Sequence, residues 1–487
     1  MKRHIVFLVV SGIVFSAIAV VFLVLPRSEF SELEKRRLAK FPDYSHEALL
    51  SGKYTGDISS WFSDSEPFRD ELMTLSMAIK NSLALKVGGG DAVTFHAEPG
   101  AGAEEPPQPT EEEIEAGNRD IAEISAVGVD GPAKVASAGI IVAGEEPEVR
   151  ALMVYYGEAT GGAEWAQAAN FYKETLPDVD IYCMVVPTAI EFYCPEKVKS
   201  RTRSQLSTIR NIYSLLRPDV HAVDAYTPLG THASEPIYFR TDHHWTPLGA
   251  YYVAQKFAET AGVPFRNIEA FEQHERDGFV GSMYGYSKDI SVKRSPEKFV
   301  YYTPLDTAYT TTYRTVNLNS AGKPVSQTAP RKGDFFMPKI YRGGGSYSMF
   351  MGGDMKVTKV VTSVDSPRRL LIIKDSFGNA IPPFLFGSFG EVHVVDFRYF
   401  IDNLADYIRD NAVTDVLLMN NIFNSYSAGV ARSYRKLLTR QPGEVVADVK
   451  KHAPKKERVL SDSTALPEKS PEVEIQTDSI ADNPAGE

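Results

Sequence analysis

Cysteine is nearly absent from this chain. Two cysteines in 487 residues cannot build the disulfide framework of a small secreted module. Cys183 stands in the apolar run IYCMVV and reads as a core residue, so free thiols at Cys183 and Cys194 are the expectation. A basic excess is missing too: 52 Lys and Arg face 63 Asp and Glu, a net charge of −11. That balance argues against nucleic acid as a partner, since a phosphate-binding surface needs surplus cations. No internal repeat is present, and neither H-x-x-x-H nor paired-cysteine spacing marks a metal site. No metal and no cofactor are therefore expected.

Apolar content, by contrast, is ample. At 43% hydrophobic with 11% aromatic residues, the chain can bury a sizeable core. Its N-terminus holds one long apolar run, Ile5 to Leu25, preceded by Lys2 and Arg3. This is about the 20 residues that a helix needs to cross the hydrocarbon core of a bilayer. No A-x-A-like cleavage site precedes Pro26, so residues 1–25 read as an uncleaved signal anchor. The basic residues before the span place the rest of the chain outside the cytoplasm.

Composition divides the rest of the chain. Residues 26–87 form a juxtamembrane region with Phe68, Leu72, Leu75 and Ile79 at helical spacing. Residues 88–149 are rich in Gly, Pro, Ala and Glu and read as a mobile acidic insertion. Residues 452–487 are polar with scattered prolines, a disordered tail. Between them, 150–451 alternate strand-like and helical segments. The strand-like runs are 150–157, 179–187, 220–226, 368–376, 391–397 and 415–421. Near-continuous apolar strands separated by helices predict an α/β fold of three layers, a mostly parallel sheet covered on both faces. One long interruption, 263–365, reads as a β-rich insertion. Chemistry in such sheets sits at the carboxyl ends of the strands.

Two motifs fall at such ends. In YFRTDHHWTPLGAYYVAQKF, Thr246 is placed to cap a helix, Pro247 to open it and Gly262 to end it. Asp242, His243, His244 and Trp245 then lie on the connection entering that helix. In extended backbone, residues two apart share a face, which pairs Asp242 with His244. A carboxylate beside an imidazole fixes its tautomer and stabilises the imidazolium. Downstream, RRLLIIKDSFGNA runs from an apolar strand straight into Asp375, Ser376, Phe377 and Gly378. A serine at that turn is placed to act as a nucleophile, with a helix N-terminus offering N–H groups to an oxyanion. Either motif alone reads first as ordinary structure, a capped turn with packing histidines or an N-capping serine; together they supply serine, histidine and aspartate for acyl transfer.

The pair, in this order, resembles the DHHW family, which is similar to alginate O-acetyltransferases of SGNH-hydrolase-like fold. SEFSELEKRRLAKFP, WFSDSEPFRDEL and GFVGSMYGYSKD share the likeness. The resemblance implies a triad of Ser376, His244 and Asp242, with His243 at the variable position of the D-x-H-W motif. It also implies an oxyanion hole built from a glycine and an asparagine. Because the motif order is circularly permuted relative to SGNH hydrolases, the candidates are Gly378, Asn420 and Asn421. Trp245, Arg240, Tyr284, Tyr286 and Lys288 are candidate substrate contacts.

The expected function is an O-acetyltransferase or acetylesterase acting on a cell-surface or exported polysaccharide. The protein would sit in a bacterial cell membrane by a single pass. Its acetyl donor would come from a separate membrane-embedded acyltransferase. Two rivals belong to other classes. One is a polysaccharide-binding scaffold with a vestigial triad. The other is a metal-dependent phosphoesterase using Asp242, His243 and His244 with His221 and Asp224.

Overall fold

Four runs of buried Val, Ile, Leu and Met set the centre of the molecule, and helices cover them. The computed structural model describes residues 38–69 and 139–441 except 320–322 and 339–345, together with 133–136 and scattered single positions before 139. The predicted anchor lies outside the described residues apart from Gly12, Ser16 and Leu25, and so do residues 88–132 and the tail. Among the described residues, no helix is long and apolar enough to cross a membrane.

Numbered in chain order from residue 133, the strands begin with β1 (Ala133–Ala136), β2 (Ile140–Ala143), β3 (Arg150–Met153), β4 (Asp180–Val186), β5 (Val220–Val223), β6 (Phe271–Phe279) and β7 (Glu297–Pro304). They continue with β8 (Tyr309–Leu318), β9 (Pro324–Gln327), β10 (Arg331–Gly333), β11 (Lys356–Thr362), β12 (Arg369–Lys374), β13 (Glu391–Asp396) and β14 (Asp415–Asn421). The main helices are α1 (Ala163–Thr175), α2 (Gln205–Ser214), α3 (Pro247–Ala261), α4 (Leu404–Asp410) and α5 (Ala428–Thr439).

The central sheet runs β9-β8-β11-β13-β12-β14-β4-β5, with β10 also paired to β8. Its five strands from β13 to β5 are mutually parallel. β14 is buried along its whole length and β12 at all but its first residue, the pattern of strands covered on both faces. Neighbouring side chains on β4 show the layers. Cys183 lies beside Trp165 of α1, while Tyr182 meets Phe257 of α3 edge-on at 5.2 Å. Successive strand residues point to opposite faces, so α1 and α3 lie on opposite sides. α5 joins α1, where Trp165 and Tyr434 pack ring to ring at 4.6 Å.

Two expectations need correction. Arg150–Met153 is no part of the central sheet: β1, β2 and β3 form a separate antiparallel sheet. The apolar run alone could not tell the two settings apart. Residues 133–136 and 140–143, assigned to the mobile insertion, are strands of that same sheet. The 263–365 insertion is β-rich as expected. Its β8 and β11 pair antiparallel onto the β13 edge and lengthen the sheet, and only the β6–β7 hairpin is separate. Within residues 26–87 a helix spans Lys53–Asp64; Phe68 has a left-handed backbone (φ 58°) just before helical Arg69 and Leu72, while Leu75 and Ile79 lie outside the described residues. Cys183 and Cys194 are both buried free thiols.

Candidate active site

The histidine motif is held at the base of a tight loop. Trp245 bridges Tyr238 across it, and Thr246 N–H donates to Ile237 O at 2.9 Å. The Thr246 hydroxyl accepts from Gly249 N–H, Pro247 opens α3, and Gly262 ends it with φ 64°, all as read from the sequence. At the loop's tip the Glu297 carboxylate takes the N–H groups of Arg240 (2.8 Å) and Thr241 (2.6 Å) and the Thr241 hydroxyl (2.6 Å). Thr241 Oγ1 in turn accepts from Gly281 N–H. A Cβ at Gly281 would collide with that of Asp242, so only glycine lets the β6 end close over the loop.

Asp242 is thereby presented to His244. Its Oδ1 lies 2.6 Å from His244 Nδ1 and also accepts the His244 N–H at 3.0 Å. Its Oδ2 accepts Ser282 N–H at 2.8 Å. Burial alone would raise this carboxyl, but the His244 and His243 rings and the Ser282 N–H outweigh it and hold the group well below the usual carboxylate range. His244 Nε2 lies 2.8 Å from Ser376 Oγ. The three residues thus form one hydrogen-bonded line from a buried carboxylate to a half-buried hydroxyl.

The serine turn differs from the expected one. Ser376 opens a single turn of 3-10 helix, Ser376–Asn379, so no long helix aims its N-terminus at the site. Asp375 caps it, Oδ1 accepting Phe377 N–H at 2.9 Å. Asp375 Oδ2 accepts from Asn421 N–H, Asn421 Nδ2 and Asn424 Nδ2, at 2.7–2.8 Å. Burial still pushes the Asp375 carboxyl up. The Gly378 N–H already bonds Asp375 O at 3.0 Å, so it is not a free donor. Asn421 is spent on Asp375 and on capping the next helix. Asn420 accepts from Tyr434 of α5, beneath the helix layer. Gly378 and Asn421 are therefore engaged elsewhere, whereas Asn420 keeps a buried Nδ2 with no partner among the described residues. Among the described residues, the N–H of Ser376 itself meets no acceptor in the turn.

Trp245 is fully buried and does not face a substrate. Its Nε1 donates to Phe377 O at 2.9 Å and to Tyr347 Oη at 3.1 Å, and Tyr347 donates to the same carbonyl at 2.9 Å. The tryptophan thus pins the serine turn to the histidine loop. Arg240 is also structural. It donates to Pro147 O, Val149 O and Pro296 O and pairs with Glu148, tying the β1–β3 sheet to the β7 turn. Tyr284 is buried with Val142, Ala151 and Val292 in a satellite core. Lys288 ends a short helix with φ 54°. Tyr286 alone of the five stays exposed beside the site, its ring 5.9 Å from His243.

His243 stacks obliquely on His244 at 3.7 Å, and its Nδ1 lies 2.6 Å from Ser282 Oγ. Burial, reinforced by His244, pushes it down to about 3, so it is neutral at physiological pH. Ligand atoms of Asp242, His243 and His244 lie within 4.8 Å of one another, yet each residue is already hydrogen-bonded within the site. Neither His221 nor Asp224 belongs to this group. His221 stacks on Tyr182, and the Asp224 carboxylate accepts Thr227 N–H.

Sequence reasoning missed two features. Tyr347, from the far end of the insertion, lies flat on His244. An ionic knot brackets the serine turn: Lys374 Nζ donates to Asp354 Oδ1 (2.8 Å) and Asp396 Oδ2 (2.9 Å), and Arg398 bonds the same two carboxylates. Asn379 Nδ2 reaches Asp354 at 2.8 Å. Burial opposes the charged forms, but the opposite charges outweigh it, holding Asp354 low and Lys374 high. A buried lysine two residues before Ser376 was the one available signal, because a charge in a covered strand demands partners.

The sequence pattern described as "DHHW protein" matches residues 162–395. Among solved structures, a DHHW family protein from Eubacterium siraeum DSM 15702 is 37% identical with TM-score 0.56; the match covers 64% of this chain and 98% of that one. Bacillus cereus PatB1 with a sulfonyl adduct is 18% identical, TM-score 0.46, covering 61% and 98%. The O-acetyltransferase domain of Pseudomonas putida AlgJ is 14% identical, TM-score 0.34, covering 62% and 99%. No curated protein matches. With 37% identity spanning nearly all of the Eubacterium siraeum protein, the chain belongs to the DHHW family.

Proposed function

We propose that this chain is a membrane-anchored, extracytoplasmic serine enzyme that moves acetyl groups onto, or removes them from, a cell-surface or exported polysaccharide. The observation that carries this reading is the line Asp242 Oδ1–His244 Nδ1 at 2.6 Å and His244 Nε2–Ser376 Oγ at 2.8 Å. His244 takes the Ser376 proton as Oγ bonds to the carbonyl carbon of an acetyl ester. Asp242, kept ionised, steadies the imidazolium. The Ser376 N–H, whose neighbours at Phe377 and Gly378 are spent on Asp375, is the donor placed for the developing oxyanion. As the ester C–O bond breaks, His244 returns the proton to the leaving alcohol, giving acetyl-Ser376. A sugar hydroxyl or water, deprotonated by His244, then attacks that acetyl and restores the serine.

The apolar run at Ile5–Leu25 supports an anchored assembly role and hence transfer over hydrolysis. Acetyl-CoA is not available outside the cytoplasm, so the donor is a separate membrane-embedded acyltransferase. The test is release of p-nitrophenol from p-nitrophenyl acetate by wild type, Ser376→Ala and His244→Ala, with and without EDTA. Turnover that survives EDTA and falls at least roughly 10³-fold in both variants supports the serine mechanism. Turnover indifferent to Ser376→Ala, or abolished by EDTA, sinks it.

A further inference from the structure

On the face of the sheet covered by α1, α5 and α4, the helices end before the strands do. Asn403 Nδ2 fastens α4 to the end of α5 through Leu438 O and Arg440 O. Beyond α4, strands β11 and β8 continue the sheet, with no helix above them among the described residues. A cavity of about 560 Å³ opens there, with Thr312, Arg314, Val357 and Lys359 below and α4 as one wall. Its volume falls within the range of small-ligand sites.

The floor is polar where a covered sheet would be apolar. Thr312 pairs with Lys359 and Arg314 with Val357 in register, so these four side chains share one face. Lys359 in turn pairs with His393, whose ring nitrogen meets Tyr407 of α4 at 2.8 Å, which identifies that face as the one α4 covers. The polar groups are held in place. Arg314 donates to Asp402 Oδ2 at 3.0 Å, Gln327 donates to the same oxygen at 2.7 Å, and Lys359 pairs with Glu391 at 2.8 Å. The Arg314 guanidinium stands 5.6 Å from the Tyr407 ring. Fixed donors and acceptors around an aromatic side chain suit a molecule dense in hydroxyl groups.

Charge narrows the ligand further. The lining cations Arg314 and Lys359 are both held by carboxylates, Asp402 and Glu391, and Arg409 pairs with the lining Asp406 and Asp410. A chain of uronic acids would find both lining cations already engaged, whereas a saccharide without carboxylates meets donors and acceptors alike. The position is also informative. β8 is three strands from β12 in the sheet, about 14 Å to the side of the serine-bearing strand. The connection after β13 carries Arg398 of the ionic knot and then Asp402 and Asn403 of the cleft wall. One stretch of chain therefore borders both.

We propose that this cleft is a second binding site, which holds a carboxylate-free saccharide chain as the distal contact of the acceptor polymer. Its role as an acceptor contact rests on the acetyl-transfer reading; the binding itself does not.

The experiment is calorimetric titration of the full chain with chitohexaose, cellohexaose and hexagalacturonate, for wild type, Thr312→Trp and Asp406→Ala. Thermal unfolding of each variant guards against a lost fold. The expected result is binding of an uncharged hexasaccharide that Thr312→Trp weakens roughly tenfold or more and Asp406→Ala roughly threefold. Binding of hexagalacturonate alone, binding of none of the three, or affinity unchanged in both folded variants overturns the proposal. Comparing wild type with Ser376→Ala on p-nitrophenyl acetate separates the two ideas. If no serine-dependent hydrolysis occurs and the cleft variants still lose sugar, the acetyl-transfer reading fails and the cleft stands.

Discussion

The imidazole of His244 lies flat against the ring of Tyr347, centroids 3.8 Å apart and planes 7° from parallel. The same tyrosine donates its hydroxyl to Phe377 O, in the turn that carries Ser376. One buried side chain therefore touches both ends of the histidine–serine contact.

Separating those two jobs takes two variants. Tyr347→Phe keeps the stack and loses one hydrogen bond, while Trp245 Nε1 still holds Phe377 O. Tyr347→Leu loses both. An aromatic pair contributes about 0.5–1.5 kcal/mol and a hydrogen bond about 1 kcal/mol. On p-nitrophenyl acetate, kcat should fall about threefold in the Phe variant and about tenfold or more in the Leu variant. KM should hold steady, because Tyr347 lies behind the imidazole. Equal losses in the two variants would refute positioning by the stack.

His243 gives the site a pH signature in stability. Its folded value lies near 3, against 6.5 for a free imidazole, so the folded state disfavours its proton. Above about pH 6.5 neither state is protonated there and the group adds nothing. As pH falls below 6.5 the unfolded chain takes up the proton first, and stability drops by at most about 1.4 kcal/mol per pH unit until about pH 3. Asp242, whose folded value is depressed, stabilises above its unfolded value and adds a further loss only below about pH 4. Asp375, raised by burial, works in the opposite direction just above that point. Urea unfolding between pH 7 and 4.5 should therefore show a shallower decline for His243→Gln than for wild type. Parallel curves would disprove the assignment.

Local signals were the legible ones. The cap at Thr246, the proline after it and the glycine at 262 act within one helix, and the helix starts and stops where they stand. The strands β4, β12, β13 and β14 were readable because a covered parallel strand is apolar at almost every position. The same rule misplaced Arg150–Met153, since an apolar run does not say which sheet it joins. At the site, Asp242, His244 and Ser376 were identifiable by residue type, whereas the oxyanion candidates Gly378 and Asn421 are engaged for reasons invisible in sequence. Asp375 consumes the N–H of Phe377 and the amide of Asn421, and its carbonyl takes that of Gly378. Tyr347 left no trace because its partner lies far away along the chain.

Arg240 illustrates a basic residue near a site that serves the scaffold. Its guanidinium binds three carbonyls and Glu148 where two sheets meet. Charge-assisted bonds of this kind contribute about 1.5–3 kcal/mol. Arg240→Ala should lower the unfolding free energy by about that amount and leave KM for an acetylated sugar unchanged at a temperature where the variant is folded. A raised KM with unaltered stability would reverse the assignment.

Tyr286 carries the opposite expectation. It is 49% exposed, and its ring stands 5.9 Å from that of His243, which itself packs on His244. Among the five proposed substrate contacts, it is the one that offers an open aromatic face at the mouth of the site. A stacking face contributes about 1 kcal/mol to a bound ring, so Tyr286→Ala should raise KM for an acetylated oligosaccharide about fivefold. Turnover of p-nitrophenyl acetate, which is too small to span that face, should change less than twofold. Tyr286→Phe should behave as wild type, because the expected contact is the ring and not the hydroxyl. Equal loss on both substrates would mean that Tyr286 supports the His243–His244 pair rather than the sugar.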